Sequence, residues 1–309
     1  MTGTIERYEQ AAALLPLRLR RVALALPDQQ KERVEELRLR TGRPLTVLTP
    51  EGELRAADTD RDALVTPEDL EQMLSSVTEY SRYASMEEIR QGYLCVRGGF
   101  RLGVCGTVVM RDGASANIRE FSSFVLRIVR EHIDVAQDCA PQLFDGESFQ
   151  STLILSPPGG GKTTLLRDLI RLLSMGDAQR RAQRVAVIDE RGEIAVSHQG
   201  RAQMELGNHT DVLDSCPKAL GIPMVLRAMN PQIIAVDEIT AAEDIRAMCM
   251  AANCGVGLLA TIHAKSIAEL TRKPLWRELL AADVFRRCII ISRDGDARRY
   301  EVNELCCGE

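Results

Sequence analysis

The chain has 309 residues, 45% of them hydrophobic, which is enough for a buried core and for two domains of ordinary size. Its 39 basic and 44 acidic residues give a formal net charge of −5, which argues against bulk nucleic-acid binding. The nine cysteines form no C-x-x-C pair, which excludes a zinc module of the usual spacing. With no signal-peptide pattern and no apolar run of bilayer length, we expect a cytosolic protein with reduced cysteines.

The first part of the chain is predicted to be a small α+β domain. Apolar residues at helical spacing predict one helix over residues 6–26, ended by Pro27. Alternating apolar and polar residues then predict a strand over 36–40, and after a turn a returning strand over 45–48.

A second helix is predicted to begin after Thr66, because this residue is followed by a proline and two acids, and to run through Val77. A short helix is predicted over 86–91. Two paired strands are then predicted over 93–96 and 100–109, joined by a glycine turn. We expect this domain to span residues 1–147.

The centre of the chain carries a glycine-rich loop between an apolar strand, 152–156, and a helix, 163–174. Such a loop presents backbone N–H groups to phosphates, with Lys162 reaching the β- and γ-phosphates and Thr163 binding Mg²⁺. Ser156 replaces the first glycine of the strict pattern. The residues predicted to bind nucleotide are Pro158, Gly159, Gly160, Gly161, Lys162, Thr163 and Thr164.

Beyond the loop, strands and helices alternate as a parallel sheet requires. The fully apolar strand 233–236 fits a sheet covered on both faces, and residues 288–302 predict an antiparallel hairpin added to that sheet. The predicted fold class is α/β: a P-loop NTPase (RecA/AAA-like) parallel-sheet domain over 148–309, preceded by the smaller α+β N-terminal domain. The other predicted elements are strands 184–189, 232–237 and 256–261 and helices 214–228 and 241–253.

Three strand ends supply groups for phosphoryl transfer to water, which needs one carboxylate near the metal and another at the attacking water. Asp237 is predicted near Mg²⁺ and Glu238 at the water. The strand 185–189 leads to further acids, and His263 follows the last strand, where it could sense the γ-phosphate. The alternatives are a solvated strand end for the acids and a structural role for the histidine.

The order of these motifs resembles that in secretion and type IV pilus ATPases: phosphate loop, acidic box 187–195, acidic strand end 230–238 and histidine box 259–264. The N-terminal segments are similar to those of the stage III sporulation protein AA family of endospore-forming bacteria. The matching N-terminal segments are residues 36–40, 88–93 and 98–106.

This resemblance implies an Mg²⁺-dependent ATPase that binds ATP, with Glu193 positioning the water and Glu238 as the second catalytic glutamate. It also implies that Arg101 and Arg127 reach the γ-phosphate across a domain or subunit boundary; the alternative is that both are solvated arginines. Lys162 and His263 complete the predicted catalytic set.

The resemblance further implies a homo-oligomer, a ring of six. It would be a motor in the cytoplasm of the mother cell, at the inner face of a membrane and docked on the membrane proteins of a sporulation channel complex. No nucleic-acid partner is expected. Two alternatives remain: a nucleotide-gated scaffold with negligible hydrolysis, and a P-loop ATPase acting on nucleic acid.

Overall fold

The chain divides into two compact units, one formed by residues 1–130 with 198–203 and the other by 131–197 with 204–309. The predicted limits, 1–147 and 148–309, put the division later in the chain, and the alternation of elements gave no sign that 198–203 belongs with the first unit. A computed structural model describes residues 2–56, 64–78, 86–111, 114–294 and 297–305. Cys306 and Cys307 lie outside these ranges.

The first unit opens with short helices, and the prediction of one helix over 6–26 is wrong because Pro16 interrupts it. Proline has no N–H to donate and its ring clashes with the preceding turn, so Pro16 stands in an extended conformation (φ −52°, ψ 145°) just before the second helix. Leu15 and Leu19, on either side of the break, are both buried in one core. The helices are α1 (Thr2–Ala12), α2 (Leu17–Leu24) and α3 (Asp28–Lys31).

A six-stranded antiparallel sheet follows, in the order β3-β2-β1-β6-β5-β4. The four predicted strands of this unit are confirmed as β1, β2, β4 and β5. The long strand β6 was missed, because its sequence mixes polar and apolar residues without a clean alternation. The strands are β1 (Glu36–Arg40), β2 (Thr46–Thr49), β3 (Gly52–Arg55), β4 (Tyr93–Val96), β5 (Phe100–Arg111) and β6 (Ala114–Arg127).

The predicted helix after Thr66 is confirmed as α4 (Pro67–Val77), and the short one as α5 (Met86–Arg90). The start of α4 is fixed by a reciprocal pair of hydrogen bonds: the Asp69 N–H donates to Thr66 Oγ1 at 3.3 Å and the Thr66 N–H donates to Asp69 Oδ2 at 2.8 Å. The apolar face of α4 packs into the same core as the sheet.

The second unit is built on a seven-stranded sheet in the order β11-β10-β12-β13-β9-β14-β15. All neighbouring pairs are parallel except the hairpin β14–β15, which is antiparallel, as predicted. A small hairpin, β7 (Phe144–Asp145) with β8 (Ser148–Phe149), precedes it. The strands are β9 (Thr152–Ser156), β10 (Val185–Asp189), β11 (Thr210–Asp214), β12 (Ile233–Val236), β13 (Gly257–His263), β14 (Arg287–Asp294) and β15 (Ala297–Glu304).

Helices cover both faces of this sheet. In β9, Leu153 and Leu155 enter one core and Ile154 enters the other, which explains why the strand is apolar throughout. Residues 214–217 were predicted as helix, but the helix begins only after Pro217, and Asp214 ends the edge strand β11. The helices are α6 (Lys162–Met175), α7 (Lys218–Ala228), α8 (Ala242–Asn253), α9 (Ile267–Leu270) and α10 (Pro274–Ala281). Within the described ranges, none of the helices has the length and apolar character needed to span a bilayer.

Candidate functional site

The glycine-rich loop connects the central strand β9 to the start of α6. Gly161 precedes the first residue of α6 and has φ +96°, a left-handed conformation that residues with a side chain rarely adopt. The first N–H groups of a 14-residue helix are therefore directed into the loop, together with the positive end of the helix dipole. This arrangement suits a multiply charged anion.

Ser156, which departs from the strict loop pattern, is accommodated by Gly160. A side-chain carbon placed on Gly160 would lie only 1.5 Å from Ser156 Oγ, so the serine occupies space that Gly160 leaves open. Ser156 is completely buried, and its hydroxyl donates to the Pro157 carbonyl at 3.0 Å. The departure from the pattern is therefore accommodated locally, between Ser156 and Gly160.

Lys162 is only 6% exposed, and its ammonium group lies against the loop backbone. Its Nζ donates to the carbonyl of Ser156 at 3.1 Å and lies 2.7 Å from His263 Nδ1. Burial lowers the pKa of Lys162, and the nearby Asp237 and Glu238 carboxylates act in the opposite direction. Lys162 is thus a desolvated cation within reach of any anion that the loop holds.

Asp237 is oriented by two hydroxyl groups. Thr163 Oγ1 donates to Asp237 Oδ2 at 2.8 Å, and Thr261 Oγ1 donates to Oδ1. A threonine hydroxyl and a carboxylate are hard oxygen ligands of the kind that Mg²⁺ accepts. Among the described residues, no group of three or more His, Cys, Asp or Glu side chains is placed to hold a metal. A magnesium ion at Thr163 and Asp237 would take its other ligands from water and phosphate, which fits its usual preference.

Glu238 is fixed at three points. Its backbone has φ +51° and its N–H donates to Thr261 Oγ1 at 2.8 Å, while one carboxylate oxygen pairs with Arg191 and the other lies 2.7 Å from His263 Nε2. Because the Lys162 ammonium has only hydrogens to offer, His263 Nδ1 must accept, and Nε2 carries the proton that points to Glu238. The imidazole therefore connects the lysine of the loop to the glutamate.

The acidic box after β10 is organised by Asp189, which is 1% exposed. Its carboxylate accepts from the backbone N–H groups of Glu193 at 2.8 Å, Ile194 at 3.0 Å and Ala195 at 2.8 Å. Burial raises the pKa of Asp189 against the opposing effect of these three bonds. Arg167 of α6 binds the same segment from the other side, donating to the Glu193 and Ile194 carbonyls at 2.9 Å each.

The structure brings most of the predicted residues of the second unit together. Direct contacts join Lys162 to His263, His263 to Glu238, and Thr163 to Asp237. Glu193 lies on the segment that Arg167 ties to α6, with an exposed side chain. Pro158 lies in the loop and Thr164 in the first turn of α6.

Arg101 and Arg127 lie in the first unit, on neighbouring strands, and are directly opposite each other in the β5–β6 pairing. The Arg101 guanidinium stacks on the Tyr93 ring, 3.9 Å from its centroid, and Arg127 Nε donates to Glu36 Oε1 at 3.2 Å. The Arg127 side chain is 64% exposed. Two predicted residues from different strands thus form one arginine pair on this sheet.

Sequence reasoning missed Thr261, Arg191 and Arg167 as parts of the site. Thr261 had a signal, because it is a polar residue near the carboxyl end of an otherwise apolar parallel strand. Arg191 lies inside the acidic box 187–195, but the family resemblance implied no role for it. Arg167 had no signal, since only the fold shows that its position on α6 faces the segment after β10.

Nearly the whole chain is similar to one protein family. Residues 5–302 match the family model described as "Sporulation stage III, protein AA". Stage III sporulation protein AA of Bacillus subtilis (strain 168) is 36% identical over 284 residues, which cover 92% of this chain and 91% of that protein.

Two solved structures share the fold at low sequence identity. The pilus retraction motor PilT, solved with bound ADP, has a TM-score of 0.62 and 18% identity, covering 88% of this chain and 79% of its own. The Legionella pneumophila ATPase DotB has a TM-score of 0.57 and 17% identity, covering 89% and 78%. These similarities confirm the predicted P-loop NTPase fold with a preceding N-terminal domain. The extent of the sequence match shows that the chain belongs to the sporulation stage III protein AA family.

Proposed function

We propose that this protein is an Mg²⁺-dependent ATPase that converts ATP and water to ADP and phosphate. The observation that carries the proposal is the contact chain from Lys162 through His263 to Glu238, next to the Thr163–Asp237 pair. These groups lie where β9, β12 and β13 end, at the carboxyl edge of the sheet, which is the edge where open α/β folds bind ligands.

In this proposal the N–H groups of the loop and Lys162 bind the phosphates, and Thr163 and Asp237 hold the metal. When bound, Mg²⁺ would neutralise part of the negative charge that develops on the phosphate oxygens. Glu238 orients the attacking water and accepts its proton. Thr261 supports both steps, because its hydroxyl donates to Asp237 and accepts from the Glu238 N–H.

Phosphate binding changes the partners of Lys162. Its bonds to the loop carbonyls and to His263 are replaced by bonds to phosphate oxygens, which frees His263 Nδ1 to accept a hydrogen bond from a water beside the γ-phosphate. Nε2 of the same ring is bonded to Glu238. Phosphate binding in the loop would therefore change the hydrogen bonds of the histidine and, through it, the position of the catalytic glutamate. Glu193, on the segment held by Asp189 and Arg167, is proposed to help position the water.

At the level of the assembly, we propose a homo-oligomeric motor, a ring of six, that powers or assembles a membrane channel complex during endospore formation. Family membership supports the sporulation setting, and the fold shared with PilT and DotB supports the motor. In this setting the protein would act in the mother-cell cytoplasm, docked on membrane proteins of the complex. Arg101 and Arg127 would reach the γ-phosphate of a neighbouring subunit.

One observation favours the scaffold alternative. Both carboxylate oxygens of Glu238 are engaged, one by Arg191 and one by His263, so these two groups compete with a water for the carboxylate. A protein that never releases these contacts would bind ATP and hydrolyse it negligibly.

The test is ATP turnover per subunit measured against protein concentration, with the mass determined by light scattering in the same samples. If Arg101 and Arg127 act across subunits, turnover per subunit rises as the oligomer forms. Turnover that is constant across all masses would contradict the ring motor. Tight ATP binding without turnover at every mass would support the scaffold, and turnover that requires added RNA would support the nucleic-acid alternative.

A further inference from the structure

A pair of arginines on the C-terminal hairpin lies next to the phosphate loop. Strand β14 is the neighbour of β9, on the side away from β13, and the last residues of β14 extend past the carboxyl end of β9 where the loop begins. Arg293 of β14 and Arg298 of β15 are directly opposite each other in the hairpin pairing, which places both on the same face.

Both arginines contact the loop backbone. Arg293 Nη2 donates to the Gly159 carbonyl at 3.2 Å. The Arg298 guanidinium covers Gly161: a side-chain carbon built there would lie 2.8 Å from Arg298 Nε and 2.9 Å from Cζ. Glycine is therefore required at position 161 for two reasons: the close approach of the Arg298 guanidinium and the left-handed backbone conformation.

The position of Arg298 is electrostatically unfavourable without an anion. It lies against the residue that precedes the first N–H groups of α6, where the helix dipole is positive, and Lys162 is the next residue in the chain. Placing a further cation there raises the energy of the empty site. An anion bound to the same N–H groups reverses the sign of the interaction, and a planar guanidinium can donate two parallel hydrogen bonds to phosphate oxygens.

We infer that Arg298, held in place beside Arg293, binds the α- and β-phosphates of the nucleotide from within the same unit as the loop. This inference rests on the proposed nucleotide site and extends it. The loop N–H groups cradle the α- and β-phosphates, so a cation beside Gly161 serves that part of the ligand. Arg298 then contributes to nucleotide affinity from the same subunit as the loop, whereas Arg101 and Arg127 are proposed to act between subunits.

The experiment is calorimetric titration of ADP and of a non-hydrolysable ATP analogue, each with Mg²⁺, into the full chain. Arg298→Ala is expected to weaken both ligands by about 10-fold, in line with the loss of a charge-assisted hydrogen bond. Arg298→Lys should recover part of this loss, and Arg293→Ala should give a smaller loss. The matched control is Arg287→Ala, which removes an arginine at the other end of β14 whose Nη1 lies 2.5 Å from Glu304 Oε1.

Each outcome decides the matter. Equal losses for ADP and the ATP analogue in Arg298→Ala, with wild-type affinity in the control, support the inference. Wild-type affinity in Arg298→Ala, or a loss for the ATP analogue alone, overturns it while the nucleotide site stands. If the unmodified protein binds neither ligand, the proposed function fails and the inference with it. Fluorescence of Trp276, the chain's single tryptophan, verifies in every sample that this unit is folded.

Discussion

Replacing Glu238 by glutamine is expected to lower ATP turnover by about 100- to 1,000-fold while ATP affinity stays within about threefold of the unmodified protein. Glutamine has nearly the same shape, but its amide cannot accept a proton from water. The carboxylate sits 2.7 Å from His263 Nε2 and is not one of the groups that hold phosphate, so binding does not depend on it.

Single-turnover phosphate release and equilibrium binding of a fluorescent ATP analogue measure the two quantities separately. Glu278→Gln is the matched control, since it makes the same chemical change at an exposed glutamate of α10. Glu193→Gln, measured in the same way, shows which of the two glutamates carries the larger effect. Turnover in Glu238→Gln at the wild-type rate would remove Glu238 from the mechanism.

The second large effect is on stability. Asp189→Ala is expected to lower the free energy of unfolding of the second unit by roughly 3 to 5 kcal/mol, because three backbone N–H groups lose their acceptor and an orphaned buried donor costs about 1–3 kcal/mol. Two of these donors, at Ile194 and Ala195, are in buried hydrogen bonds. The loss also releases the segment that carries Glu193, so turnover should fall with stability.

Urea denaturation followed by Trp276 fluorescence measures this effect selectively, because the chain's single tryptophan lies in the second unit. Asp189→Asn provides a graded comparison. Its amide oxygen can replace Oδ2 and keep the bonds from Ile194 and Ala195, so only the bond from Glu193 is lost and the cost should be about 1–3 kcal/mol. Equal midpoints for the unmodified protein and Asp189→Ala would show that the carboxylate does not organise this segment.

Local sequence signals were sufficient where the determining interactions are local. The helix after Thr66 was predicted to the residue at both ends, because its capping box is formed by residues three apart. Strand β9 and helix α6 were predicted closely, since a buried parallel strand is apolar throughout and a glycine loop follows it.

The sequence did not predict the structure where the decisive interaction is long-range, or where one residue overrides the apolar pattern around it. Pro16 breaks the first helical pattern, although the apolar spacing continues through it. The edge strand β11 is half exposed and alternates weakly, so pairing with β10 defines it rather than its own sequence. The role of Arg167 in the site depends on residues 26 and 27 positions away along the chain, at Glu193 and Ile194.

The arginines show the same limit in the site itself. Arg101 and Arg127 were selected through family resemblance, and their adjacency became visible only with the β5–β6 register. Arg293 and Arg298 were not selected, because a hairpin at the end of the sheet carries no pattern that points to a loop more than 130 residues earlier. Only the order of strands in the sheet brings them to Gly159 and Gly161.

The central claim is that the loop and Lys162 form a hydrolytic ATP site, and the most direct test is phosphate release from Mg²⁺-ATP by the unmodified protein and Lys162→Ala side by side. ATP binding is measured in the same samples. The account predicts sustained release by the unmodified protein and neither binding nor release by Lys162→Ala, which lacks the ammonium group that lies against the loop. Release by the unmodified protein no faster than by Lys162→Ala would contradict the claim.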